Sequence, residues 1–258
     1  MKIASWNVNS MKVRLPHVLD WLASESPDVL TIQETKLPDD KFPVDEIEEA
    51  GYQVVCSGQR TYNGVATISK RSSENVITDV PGLDDPQRRI LGTTIGNLRV
   101  LNLYVVNGQE VGSEKYQYKL EWLDKVTQYI ASDLENYENY VVLGDFNITP
   151  DDRDLHNPER WKDRILCSEP ERTALNKILE LGFQDTFRLF DQPEKTFSWW
   201  DYRQMAFSRN RGMRIDLILA NHNLAKSCER SYVDVNPRRL ERPSDHAPVV
   251  AVFDFEIR

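Results

Sequence analysis

YVVLGDFNITP, running from Tyr140 to Pro150, is the stretch on which the reading of the fold turns. Val141, Val142 and Leu143 form a short β-branched and aliphatic run with the character of a buried strand, and Gly144 is expected to break it just before the carboxylate of Asp145. Asn147 follows two residues on, so in extended geometry Asp145 and Asn147 point to one side. An acceptor and an amide then stand together at a strand exit, where open α/β sheets place their ligands. The same residues also suit a strand that ends in an Asx-type turn for purely local reasons.

Working outward, the same pattern recurs. A strand over 2–6 leaves at Asn7 and Asn9, and an amphipathic helix follows, with Leu15, Val18, Leu19 and Leu22 at helical spacing and a stop at Ser26-Pro27. A strand over 29–32 ends in Gln33-Glu34-Thr35, which puts a second carboxylate at a strand exit. A short helix is expected over 45–50, and then strands over 52–56, 64–69, 76–80, 89–95 and 98–106, an antiparallel meander with a hairpin signal at Gly96-Asn97. Tyr104 lies near the exit of the last of these. Leu120, Leu123, Val126 and Ile130 form one apolar stripe on a helix that reaches about 134 and leads back to the opening stretch.

Beyond Pro150, the charged segment DDRDLHNPERW is too long for a plain connection and is a candidate binding loop. Ser168 and Glu171 form a capping box for a helix that buries Leu175, Ile178 and Leu179. In the cluster Phe197-Ser-Trp199-Trp200-Asp-Tyr202, two adjacent tryptophans cannot both face one interior from a strand, so one of them faces a ligand or a loop. Arg214-Ile-Asp216-Leu-Ile-Leu219 carries a carboxylate inside an aliphatic run, which is costly to bury unless it is paired. His246, in Ser244-Asp245-His246-Ala-Pro248 ahead of a closing strand over 249–253, is its natural partner, with the carboxylate fixing the ring's tautomer.

Bulk properties narrow the class. The 258 residues hold no Pro/Gly/Ser linker or low-complexity stretch, so one domain over 1–258 is expected. With 40% hydrophobic and 28% charged residues the chain can build a core and is too apolar for disorder. No apolar run reaches membrane-span length, and polar Asn7 and Asn9 stand where a signal peptide needs its apolar region, so a soluble, cytoplasmic protein without a membrane partner is expected. Cys56, Cys167 and Cys228 form no CxxC pair; neither a disulfide framework nor a zinc site is indicated, and the thiols are expected to be reduced. A net charge of −9 argues at first against nucleic acid, but it says nothing about one face, and carboxylates grouped around a divalent metal add negative charge that the cation partly cancels.

Asn7, Glu34, Tyr104, Asp145, Asn147 and Asp245 all sit at or near strand ends, with Asp216 inside a strand. If those ends converge, two carboxylates about 4 Å apart would repel by roughly 4 kcal/mol at an effective dielectric of 20, so the site calls for a cation. Oxygen ligands without cysteine select Mg²⁺ or Mn²⁺. WNVNS at Trp6, QETK at Gln33, LYVVNG at Leu103, GDFN at Gly144, RIDLIL at Arg214 and SDHAPV at Ser244 resemble, in this order, the motifs of the exonuclease III family of apurinic/apyrimidinic endonucleases. The likeness spans nearly the whole chain; GDFN and SDH alone also occur across the wider superfamily of deoxyribonuclease I, sphingomyelinases and inositol phosphatases. DLHNP at Asp154 resembles the family's DNA-facing loop, and FSWWDYR at Phe197 resembles the segment that supplies its abasic-sugar pocket. Val106 stands where the family often has proline, and Asn9 where the animal enzymes have aspartate, which makes the bacterial branch the closer match.

The resemblance implies a deoxyribonuclease I-like four-layer α/β sandwich: two mixed β-sheets packed face to face, helices outside, and the active site at one edge. It implies a Mg²⁺- or Mn²⁺-dependent hydrolase that cuts double-stranded DNA 5′ to abasic sites, clears blocked 3′ ends and acts as a 3′→5′ exonuclease, as a cytoplasmic monomer. Glu34 is the expected metal ligand, with Asn7, Asp145, Asn147, Asp245 and His246 around it. Asp145, helped by Asn147, would orient or deprotonate water; Tyr104 and His246 would contact phosphate, with Asp216 orienting His246. Trp199, Met213 and Ile215 are expected at the sugar pocket, and Tyr62, Asn107, His156 and Asn157 on the DNA-facing loops. The alternative is a sibling phosphoesterase for lipid or inositol phosphates, which would have no use for the DLHNP loop or the Trp199 segment.

Overall fold

The computed structural model describes residues 1–258. Its first half contains β1 (Lys2–Asn7), α1 (Met11–Glu25), β2 (Val29–Gln33), α2 (Val44–Glu49), β3 (Gln53–Ser57), β4 (Val65–Ser69), β5 (Glu74–Ile77), β6 (Ile90–Ile95), β7 (Leu98–Tyr104) and α3 (Glu114–Asp133). β8 (Tyr140–Asp145), α4 (Pro158–Trp161), α5 (Glu169–Glu180), β9 (Phe183–Asp185), β10 (Asp216–Asn221), α6 (His222–Ala225), β11 (Cys228–Val233) and β12 (Val249–Phe253) follow.

The strands form two six-stranded sheets, ordered β11-β12-β1-β2-β4-β3 and β5-β6-β7-β8-β10-β9. Each is antiparallel except for one pair, β1 with β2 and β7 with β8. Those two parallel pairs need long crossovers, and α1 and α3 supply them. Side-chain alternation then builds the layers. Ile3, Val29, Val100, Val141, Leu143 and Ile218 meet between the sheets. Ala4, Trp6, Leu30 and Ile32 pack outward with Met11, Val18, Trp21 and Leu22 of α1, and Leu101, Leu103, Val142 and Leu217 pack outward with α3 and α5. The result is the expected helix, sheet, sheet, helix sandwich.

Several boundaries moved. Gly144 does not break β8 but lies within it at φ 145°, because a Cβ there would stand 1.9 Å from the Leu103 carbonyl oxygen on the neighbouring strand. The strand expected over 76–80 is β5, which ends three residues earlier at Ile77, and Val80 lies in the segment that follows it. β10 begins at Asp216 rather than at Arg214, since Ile215 uses its carbonyl on the Phe146 amide outside the ladder. β9 and β11 lacked a sequence signal: the first has three residues, and the second, CERSYV, is largely polar on an edge. The three cysteines are free thiols, and no helix is long and apolar enough to cross a membrane.

Candidate active site

Strand parity decides which side chains meet. Ile3, Val100, Val141 and Ile218 face the seam between the sheets, and counting by two from them reaches Asn7, Tyr104, Asp145 and Asp216. Register aligns the rest: Asp145 lies beside Tyr104 on one side and opposite Asp216 on the other. A one-residue slip of β8 would send Asp145 into the apolar layer under α3, which pins the register. Asp216 therefore opens an antiparallel strand beside the end of β8, and the carboxylate that looked mid-strand is at the same mouth as the others. Glu34 has the outward parity of Leu30 and Ile32, but its left-handed backbone, φ 54°, swings it to the seam.

The hydrogen bonds confirm the convergence. Asn7 Nδ2 donates to Glu34 Oε1 at 3.1 Å and to Asp145 Oδ2 at 2.9 Å, so one amide from the first sheet bridges two carboxylates. The Tyr104 hydroxyl donates to Glu34 Oε1 at 2.7 Å, with the Arg89 guanidinium 4.5 Å from the Tyr104 ring centroid. The Asn147 backbone N–H donates to Asp145 Oδ1 at 2.9 Å from a residue at φ 49°, so the local Asx-type turn forms with Asp145 still at the mouth of the site. His246 Nδ1 lies 2.9 Å from Asp216 Oδ2, and the Ser198 hydroxyl donates to the same oxygen at 2.6 Å; the buried carboxylate has the partner its setting demanded. His246 Nε2 then faces Asp145 Oδ2 at 3.8 Å. Asp245, beside it, accepts from Asn9 Nδ2 at 2.9 Å and Trp199 Nε1 at 3.0 Å.

Burial and charge set the ionisation. Burial pushes the Asp145 carboxyl up to about 7, held back by His246. Burial alone would lower His246, but the Asp216 and Asp145 carboxylates outweigh it and raise the imidazole to about 10. Burial also acts to raise Glu34, and Lys36 with the Tyr104 and Asn7 hydrogen bonds reverses that to leave it lowered.

Asp145, Asp216 and His246 present ligand atoms within 4.8 Å of one another. Asp216 is committed to His246 and Ser198, while buried Asp145 and half-buried Glu34 crowd on one amide with no thiol among these residues. That donor set fits a hard, oxygen-preferring cation. Two expected ligands are placed otherwise: Asn7 offers its nitrogen, its Oδ1 being taken by the Asn9 amide, and Asn147 spends its side chain on the Val105 carbonyl and the Asn107 amide.

Around the mouth, Tyr62 is 68% exposed on the loop between β3 and β4, and Asn107 is exposed after β7. His156 packs its ring edge-on to Trp161, and Asn157 caps α4 through the Arg160 amide. Trp199 is half-buried beside Asp245, whereas Trp200 is buried against Phe207, so the two tryptophans do split. Met213 and Ile215 are 0% and 2% exposed. They stand behind Trp199 and support it, rather than forming a contact surface as expected. Val106, in place of the family proline, is buried. Below this surface Asp154 binds Arg214 and Arg188, and Arg214 also binds Asp185, anchoring the loop from within.

Sequence reasoning missed Lys36, whose ammonium lies 3.0 Å from Glu34 Oε2 and also donates to Asn9 Oδ1. Its place two residues after Glu34 in QETK was the available signal. Nothing in the sequence pointed to Ser198.

Residues 4–246 match the model of the endonuclease/exonuclease/phosphatase family. The chain is 35% identical to exodeoxyribonuclease III of Haemophilus influenzae, covering 98% of this chain and all of that one. It superposes with a TM-score of 0.97 on the 3′-5′ exonuclease NExo of Neisseria meningitidis, 44% identical over 99% of this chain and 100% of that chain. An AP endonuclease of Archaeoglobus fulgidus superposes with a TM-score of 0.95 at 40% identity, over 99% and 100%. A seam-mouth site of this make-up, in a chain matched end to end by such relatives, belongs to the endonuclease/exonuclease/phosphatase family and, within it, to the hydrolytic nucleases of the exodeoxyribonuclease III group.

Proposed function

We propose that this protein is a DNA-repair phosphodiesterase that cuts double-stranded DNA 5′ to abasic sites, removes 3′-blocking groups including phosphate, and degrades 3′ ends exonucleolytically. It acts as a cytoplasmic monomer with Mg²⁺ or Mn²⁺. The observation that carries this reading is the bridge from Asn7 to both Glu34 and Asp145, beside the Asp216-His246 pair and under Trp199. Its relatives include a 3′ phosphatase from Neisseria bound to a product DNA hairpin, which supports action at 3′ ends.

In the proposed reaction Asp145 takes the proton of the attacking water, whose oxygen bonds to phosphorus as the bond to the 3′ oxygen breaks; the 3′ oxygen leaves as an alkoxide and takes a proton from solvent to become the 3′-hydroxyl. Asp216 keeps His246 in its imidazolium form, so His246 serves as a charged donor to a phosphate oxygen and Asp145 is left as the base. Tyr104 donates its hydroxyl to Glu34 and positions it, and would contact the phosphate when DNA is bound. A divalent cation held by Glu34 and Asp145, when bound, supplies Lewis-acid charge to the phosphate. Tyr62, Asn107, His156 and Asn157 face the duplex, and Trp199 walls the pocket for the extruded sugar, a step that is least costly where no base is stacked.

The test is incubation with an abasic duplex, a 3′-phosphate duplex and an intact duplex, each with Mg²⁺ and with excess chelator, beside phospholipid and inositol phosphate substrates. Cation-dependent incision of the abasic strand and release of the 3′ phosphate are expected. Turnover of the lipid or inositol phosphate with none on DNA would overturn the reading.

A further inference from the structure

Lys119 and Glu171 form an ion pair with no exposed surface on either side chain, deep between α3 and α5. Taking such a pair out of water costs several kcal/mol per ion, and a pair of hydrophobic residues would often serve stability as well. Stability alone is therefore a weak reason for it. What its atoms hold is more informative. Lys119 Nζ donates to Glu171 Oε1, to the Asn147 carbonyl at 2.7 Å and to the Asn107 carbonyl at 3.2 Å, which uses all three of its protons. Those two carbonyls belong to the residues whose side chains join across the site, Asn107 Nδ2 to Asn147 Oδ1 at 3.0 Å. Glu171 in turn accepts from the backbone amides of Leu166 and Ser168 at 3.1 Å each, and Leu166 closes the base of the loop on Thr149.

We propose that Lys119 is a positioning residue for Asp145: by holding the Asn147 carbonyl it fixes the left-handed turn whose N–H is aimed at Asp145 Oδ1, while Glu171 moors Lys119. This rests on the assignment of Asp145 to the reaction above. The chain of contacts runs from Lys119 Nζ to the Asn147 carbonyl, and from the Asn147 N–H to Asp145 Oδ1 at 2.9 Å. Without the ammonium the turn is free to relax, and a displaced Asp145 costs rate more than it costs binding.

Arg99 provides the control, because it is also a buried cation on a carboxylate, Asp133, but at the far end of β7 from Tyr104. Lys119→Met is expected to lower kcat by about 10- to 100-fold at saturating DNA and Mg²⁺ with KM little changed. Arg99→Met, an independent site, should lose comparable thermal stability and keep kcat within about 2-fold. Hydrogen exchange at the Asn147 amide should speed up in Lys119→Met and not in Arg99→Met. Unchanged exchange at Asn147, or an equal loss of kcat in Arg99→Met, overturns the proposal. If Lys119→Met does not fold, the paired variant Lys119→Met/Glu171→Leu removes both buried charges; it must still lose kcat, and full kcat there overturns the proposal. An Asp145→Asn protein with normal turnover would refute the catalytic assignment instead, a result independent of the exchange measurement at Asn147.

Discussion

Replacing Asp216 by asparagine should untie His246 without disturbing the shape of the site. Both oxygens of Asp216 lie within 3.1 Å of His246 Nδ1, and Asp216 is the foremost of the groups that raise the imidazole from 6.5 to about 10. Removing one opposite charge at this range lowers a pKa by about 1–3 units. The sign for stability follows from linkage. A group raised on folding adds stability that is fully present below its unfolded pKa and is lost as pH rises through the folded one, here between 6.5 and about 10. Asp145, raised from 3.8 to about 7, acts with the same sign in the window below. Asp216→Asn should therefore be less stable near neutrality by about 1.5–3 kcal/mol, the value of a hydrogen bond to a charged group, and should lose less stability than the parent on going from neutral to alkaline pH. Urea denaturation across that window in chelator, with an NMR titration of His246, measures both. The alkaline limb of kcat should move to lower pH, since neutral His246 no longer donates to the phosphate. A His246 that titrates at the same pH in both proteins would refute the reasoning.

Three further outcomes are expected. Glu34→Ala should raise the Mg²⁺ concentration needed for half-maximal rate steeply, and activity that persists in excess chelator would end the cation assignment. Asp145→Asn should lower turnover by at least ~10²-fold, as for a positioned acid or base, while DNA affinity in the absence of metal holds or improves because a negative charge near the phosphate is gone. Loss of affinity with an intact rate per bound complex would contradict that role. Trp199→Ala should change the ratio of abasic-site incision to removal of normal 3′ nucleotides, with less loss of melting temperature than the roughly 3–5 kcal/mol typical of a core tryptophan; an unchanged ratio in a destabilised protein would make Trp199 ordinary packing.

Much of this was legible in the chain itself. Strand and helix periodicity, the Gly96-Asn97 hairpin and the Ser168-Glu171 box are local signals, and they mark local structure because propensity and capping act within a few residues. Asp216 inside an aliphatic run and His246 with no local role were each anomalies, and their pairing resolved both because a buried carboxylate cannot go unpartnered.

Tertiary structure decided the rest, since it depends on groups that are far apart in sequence and meet only when two sheets close on each other. That Asn7 gives its nitrogen to Glu34 and Asp145, and that Met213 and Ile215 lie behind Trp199, follow from rotamers and layers that no spacing encodes. Strand parity places Asn7, Tyr104, Asp145 and Asp216 on inward-facing positions in advance; it cannot place Glu34, whose positive φ breaks the count. Lys119 shows the limit most plainly. In the sequence it is one more lysine on the helix that carries Leu120 and Leu123, where a solvated charge is the ordinary expectation. Only the packing of α3 against α5 and against the loop after β8 turns it inward onto the Asn147 carbonyl, because a buried ammonium must find three acceptors and the fold supplies them there.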